Sequence, residues 1–149
     1  MKKLILISLV FILAACSAGG SELSRNKQTW EDANISHYRF ELDLSCFCAF
    51  RSLMPLTVEV QEGEVVAVID ATGIAVSADD PNYQYFVELA TIDRLFTELE
   101  SVTGSADAGE VIVKYDPTYG YPTEASIDYI KNATDDELYV GISGFETLP

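Results

Sequence analysis

From His37 to Cys48 the sequence alternates without a break. Tyr38, Phe40, Leu42, Leu44, Cys46 and Cys48 fall on one side, Arg39, Glu41, Asp43, Ser45 and Phe47 on the other. Only an extended strand sends every second side chain to the same face, so this stretch reads as a strand with one face buried, one face wet, and its cysteines pointing inward. Such a strand is not stable alone. The remaining chain has to supply a sheet around it and a layer to cover its apolar side.

Those elements are legible on both sides of it. Residues 23–33 read as a short helix with Leu23, Lys27, Trp30 and Asn34 along one side, Trp30 as its core anchor and Asn34 as its stop. After a connection over 51–55, Leu56, Val58 and Val60 alternate with Thr57, Glu59 and Gln61. Glu62-Gly63 then turns the chain into a return strand through Val66 and Val68, because glycine takes a positive backbone angle at low cost. Residues 71–90, with Gly73, Asp79-Asp80-Pro81-Asn82 and the aromatics Tyr83, Tyr85 and Phe86, read as a long loop folded back on the domain.

A second helix opens at Thr91, a capping residue, with Asp93 in its first turn, and repeats Ile92, Leu95, Phe96, Leu99 and Val102 at helical spacing until Gly104. Three more strands follow, over 111–116, 123–130 and 138–143, the last pair separated by an acidic turn at 132–137. The order helix-strand-strand-strand thus occurs twice, a possible repeat of element order. The expected fold is α+β: a mostly antiparallel sheet of about six strands with two helices on one face.

The N-terminus carries an address. Met1-Lys2-Lys3 and the apolar run from Leu4 to Ala15 form a secretory signal too short to span a bilayer, and Leu13-Ala14-Ala15-Cys16 resembles the lipobox of bacterial lipoproteins. The expectation is a signal peptide at 1–15, acylated Cys16 with a flexible spacer over 16–22, and one α+β domain over 23–149. Each buried lipid methylene adds about 0.8 kcal/mol to membrane partitioning, so acyl chains hold the protein to the cell envelope. That places it on the outer membrane facing the periplasm in a Gram-negative cell, and on the outer face of the cell membrane otherwise. Loss of Lys2 and Lys3 takes the formal net charge from −15 to −17, which excludes nucleic acid as a partner class and leaves attachment to the lipid.

With Cys16 lipidated, Cys46 and Cys48 remain as a pair in an oxidising compartment. Two positions apart on a regular strand their α-carbons lie ~6.6 Å apart, the upper limit for a disulfide, so closing the bond needs a bend. A structural bond, a Cys-x-Cys exchange couple that presents Phe47 outward to a client, and two-thiolate metal binding are the alternatives.

The other constellation is Tyr115-Asp116-Pro117-Thr118-Tyr119-Gly120-Tyr121-Pro122, a stiff aromatic connector in which Pro117 fixes one angle, Gly120 frees another and Pro122 restricts Tyr121. Tyr115, Asp116, Tyr119 and Tyr121 form a candidate binding surface in which Tyr119 or Tyr121 meets a ligand; the alternative is that Tyr115 and Tyr121 pack against the sheet with their hydroxyls reaching water or backbone, and Asp116 is positioned to bond turn amides. Asp79-Asp80 and Asp135-Asp136-Glu137 lack the spaced ligands of a calcium loop, and His37 has no nucleophile partner in any established order. No cofactor, metal site or catalytic set is expected.

Trp30, Asn34-Ile35, Tyr38-x-Phe40, Cys46-Phe47-Cys48, Val58-x-Val60 with Gly63, Thr91-Ile92-Asp93-x-Leu95-Phe96, and Tyr115-Asp116-Pro117-x-Tyr119-Gly120-Tyr121-Pro122 with Asp128 together resemble the bacterial lipoprotein domain of unknown function number 6174. The resemblance implies an exported, lipid-anchored α+β domain and no activity. The element order is also similar to peptidase-inhibitory and β-lactamase-inhibitor-like folds, an analogy of fold alone. The expected role is a non-catalytic module that binds an envelope protein or wall component. A thiol-disulfide exchange protein using Cys46 and Cys48, or an inhibitor of an envelope or secreted enzyme, are the alternatives.

Overall fold

The computed structural model describes residues 21–149. The expected signal peptide, Cys16 and the spacer up to Gly20 lie outside the described residues. Ser21 and Glu22, expected in the spacer, instead open the first helix, α1 (Glu22–Ala33), where the Ser21 hydroxyl accepts from the Ser24 amide at 3.2 Å. Asn34 ends α1 in the left-handed region at φ 49°.

The order continues as β1 (His37–Ser45), β2 (Leu56–Gln61), β3 (Glu64–Ile69), α2 (Tyr83–Leu89), α3 (Ile92–Thr103), β4 (Val111–Tyr115), β5 (Pro122–Asp128) and β6 (Glu137–Thr147). All six strands form one antiparallel sheet in the order β3-β2-β1-β6-β5-β4, an α+β fold. Helix-strand-strand-strand does occur twice, with α2 added before the second helix.

α2 corrects the reading of 71–90 as loop throughout. Seven residues are too few to build an apolar period, yet the burial of Phe86 and Leu89 fixes it to the core. Its stability comes from that packing and not from propensity.

Three strand pairs carry a register shift, that of β4 with β5 falling between Lys114 and Tyr115 beside the tyrosine turn. β3 shifts against β2 so that Val65 pairs with Val60 and Val68 with Val58; Val68 is buried while Val66 is 53% exposed. β6 is longer than expected and carries an extra residue opposite Arg39 to Glu41, with Gly144 at φ 59°. A bulge re-aims the following side chain. Here it is Phe145, which packs against the core at the edges and faces of Trp30, Tyr38, Tyr119 and Tyr121.

One face of the sheet carries the core. Tyr38, Phe40, Leu42 and Leu44 of β1 meet Leu56, Val58 and Val60 of β2, Leu138, Val140 and Ile142 of β6, and Ala125 and Ile127 of β5. α3 covers this layer with Ile92, Leu95, Phe96, Leu99 and Val102, all buried, each contributing on the order of 1.5–3 kcal/mol of gross burial energy. Thr91 caps α3 as expected, its hydroxyl accepting from the Arg94 amide at 3.1 Å. The opposite face is wet, with Arg39, Glu41 and Ser143 exposed along it.

Candidate functional site

The register divides the sheet into two ends. At one end β1 begins, β6 finishes, and the tyrosine turn joins β4 to β5, since Tyr38 pairs with Thr147 and Tyr115 with Pro122. At the other end β1 and β5 finish while β4 and β6 begin: Ser45, Tyr139, Ser126 and Ile112 form one row across four strands.

The structure brings Tyr115, Asp116, Tyr119 and Tyr121 together, and it turns their rings toward the domain. Tyr121 is buried and stacks on Phe145 at a centroid distance of 4.6 Å, with Trp30 edge-on at 6.3 Å. Tyr119 meets Phe145 at 5.9 Å, and Tyr115 stacks on Phe96 at 6.5 Å. Burial, reinforced by the charge of Glu22, pushes the Tyr115 phenol up to about 12, and burial likewise raises Tyr121.

Asp116 organises the turn. Its Oδ1 accepts from the Thr118 amide at 2.9 Å and the Tyr119 amide at 2.7 Å, while its own amide donates to the Tyr121 carbonyl at 2.8 Å. Gly120, at φ 77°, lets the turn lie directly on α1: a Cβ there would fall on the Asn26 carbonyl and against Thr29. Only Pro117 and Thr118 remain exposed in this connector.

At the opposite end the chain leaves β1 one residue before Cys46. The expected strand over the cysteines therefore stops at Ser45, and the bend brings the α-carbons of Cys46 and Cys48 to 5.1 Å, at disulfide distance. Both cysteines are half-buried against the core and Phe47 between them is 87% exposed. Arg51, the nearest cation in sequence, is held by the Asp43 carboxylate and by the Leu44 carbonyl at 3.3 Å.

Phe50 follows and turns inward, where it is buried against Phe86 at 4.9 Å and supports Tyr85 at 5.3 Å. Neither contact was readable in the sequence, because α2 was not.

Among the described residues, five of the seven exposed large apolar side chains lie toward this end; Val66 of β3 and Ile74 in the connection after it lie apart. Phe47 stands in the cysteine turn, Tyr139 (39% exposed) and Ile112 (53%) lie in the row that ends at Ser45, Ile130 (54%) follows the end of β5, and Tyr85 (36%) sits over Phe50. Sequence reasoning saw Phe47 as outward-facing but did not collect the other four, which come from four separate elements and connections. Among the described residues no three His, Cys, Asp or Glu side chains converge as a metal-binding group.

What these features define is an α+β domain with a six-stranded open antiparallel sheet, a closed aromatic end and an apolar, solvent-exposed end. The chain belongs to the family of unknown function DUF6174, which it matches over residues 22–147. No curated protein shows a significant match.

Proposed function

We propose that this protein is a lipid-anchored envelope module that binds another envelope protein through its cysteine-turn end and performs no chemistry of its own. The observation that carries this reading is Phe47: an aromatic ring 87% exposed, on a turn whose flanking cysteines stand at disulfide distance. Water-exposed aromatics held in place lose little conformational entropy on docking and serve as interface anchors. Tyr139, Ile112 and Ile130 extend the contact.

Attachment through Cys16 fits this orientation. α1 lies on the tyrosine turn, where Asn26 and Thr29 stand against Gly120, so a short spacer from Cys16 would put the membrane on that side and leave Phe47 pointing away from it. Metabolic labelling with an alkyne fatty acid tests the anchor. Wild-type protein should label and Cys16→Ser should not; equal labelling of both removes the anchor from the proposal.

The interaction is tested by placing a photo-crosslinking amino acid at position 47 and, separately, at position 118 in intact cells. A discrete adduct from 47 and none from 118 is expected, and Tyr139→Ala should diminish it. Adducts from 118 alone would return the binding role to the tyrosine turn. Inhibition of an envelope enzyme is one form this binding can take, and would appear as an enzyme in the adduct. The exchange alternative has its own measure: a Cys46–Cys48 bond in equilibrium with glutathione near −200 mV would favour a thiol-disulfide enzyme, and one reducible only below roughly −300 mV a structural bond.

A further inference from the structure

α2 and α3 leave a groove of about 510 Å³ between them, lined by Gln84, Val87 and Glu88 on one side and Arg94, Thr97 and Glu98 on the other. Glu88 and Glu98 also line a tighter recess of about 90 Å³, closed by Tyr85, Leu89 and Tyr129. The side chains of this recess are held in place. The Tyr129 hydroxyl donates to Glu98 Oε1 at 2.7 Å, Gln84 Nε2 approaches Glu88 Oε1 at 3.4 Å, and Tyr85 rests on Phe50.

The charge of the groove is unbalanced. Arg94, the one cation lining it among the described residues, already donates to the Val87 carbonyl at 2.7 Å and to Glu64 at 3.1 Å, so neither Glu88 nor Glu98 is neutralised by it. The negative field is felt by the neighbouring phenol: burial, followed by the charges of Glu98 and Glu88, raises Tyr85 above its ordinary value.

We propose that the recess binds a primary alkylammonium group, with the ammonium donating to Glu88 and Glu98 and its methylenes lying along Tyr85 and Tyr129 into the groove beside Val87. The fit is chemical and volumetric. An ammonium has three donors and no acceptor, which suits two carboxylates, and a cation over a tyrosine face gains about 0.5–1 kcal/mol at exposed sites. A recess of about 90 Å³ holds a group the size of a few water molecules, at roughly 30 Å³ each. Hard divalent cations need six or more oxygen ligands, more than this recess presents. The same chemistry is offered by a free diamine and by a lysine side chain of another protein. The recess borders the cysteine-turn end at Tyr85 and Tyr129, and its test needs no envelope partner.

The test is an amide-resonance titration of the full-length chain in detergent with 1,5-diaminopentane and with Nα-acetyl-lysine methylamide, using n-pentanol as the uncharged probe. Both amines should shift the Glu88 and Glu98 amides with dissociation constants on the order of millimolar. Tighter binding of the diamine assigns the site to free polyamines, and tighter binding of the lysine derivative to a protein-borne lysine. Glu98→Gln retains an oxygen for Tyr129 and so keeps the fold, but should weaken binding about tenfold. Tyr85→Leu should weaken it about threefold, and Glu41→Gln, on the wet face of the sheet away from the helices, should leave it unchanged. Equal weakening by Glu98→Gln and Glu41→Gln would reduce the effect to general screening of an acidic protein. That result, equal shifts from pentanol, or no shift at Glu88 and Glu98 would each overturn the proposal.

Discussion

The two ends of the sheet are both rich in aromatic residues and use them in opposite ways. At the tyrosine-turn end α1 lies across the strands, and Trp30, Tyr38, Tyr121 and Phe145 interlock beneath it, with the Trp30 indole donating to Asp93 at 3.2 Å. At the cysteine-turn end no helix among the described residues crosses Phe47, which stays 87% exposed. Aromatic content therefore does not mark a binding surface by itself. What decides is whether an amphipathic element covers the ring, and α1 covers only one end.

The comparison predicts that substitutions at one end cost stability and substitutions at the other cost binding. The largest effect is expected from Gly120→Val, which forces a branched side chain into a positive-φ position and onto the Asn26 carbonyl. A loss of about 3 kcal/mol or more should appear in urea unfolding. An unchanged midpoint would mean that the turn does not rest on α1. Tyr121→Ala should cost about 3 kcal/mol by emptying a packed aromatic site, whereas Phe47→Ala should change stability by less than about 0.5 kcal/mol while reducing partner capture about tenfold or more. Reversal of that pair would exchange the roles of the two ends.

Asp116→Ala removes an acceptor from two turn amides and is expected to cost about 1–2 kcal/mol. Replacing both Cys46 and Cys48 by serine closes no long loop in the unfolded chain, so the stability loss should stay below about 2 kcal/mol, with a larger relative loss of partner affinity as Phe47 is freed.

The smallest effect concerns pH. His37 at the tyrosine-turn end bonds Glu59 through Nε2 at 3.1 Å and the Pro149 oxygen through Nδ1 at 2.9 Å, and these two contacts, in that order, raise its pKa above the ordinary 6.5. The folded state favours the protonated ring. Its stabilisation is therefore complete below pH 6.5 and fades as pH rises through the raised folded value. A melting-temperature profile from pH 5 to 9 should show a slight decline across that interval, absent in His37→Gln; identical profiles would remove the effect.

Much of the fold was legible because it depends on local periodicity. Ile92, Leu95, Phe96, Leu99 and Val102 announced α3, and each is buried. Glu62 and Gly63, both at positive φ, announced the β2-β3 turn. α2 was not legible, because its seven residues are helical only through contacts made by Phe86 and Leu89 with distant parts of the chain. The bulge at Gly144 was equally silent, since an extra residue in one strand has meaning only against its partner.

The candidate sites divide the same way. The bonding of Asp116 to its own turn and the outward set of Phe47 are local and could be read. The inward set of Tyr121 was one of two open readings, and the rings that decide it come from α1 and from β6. The sequence by itself determined the alternating strand from His37, the α3 cover and the places where the chain must turn, all of them consequences of dihedral preference and side-chain spacing. The tertiary structure decided which aromatic turn is closed and which is open, and it assembled the Glu88, Glu98, Tyr85 and Tyr129 recess. Those outcomes depend on the packing of residues far apart in the chain, and no short window of sequence contains them.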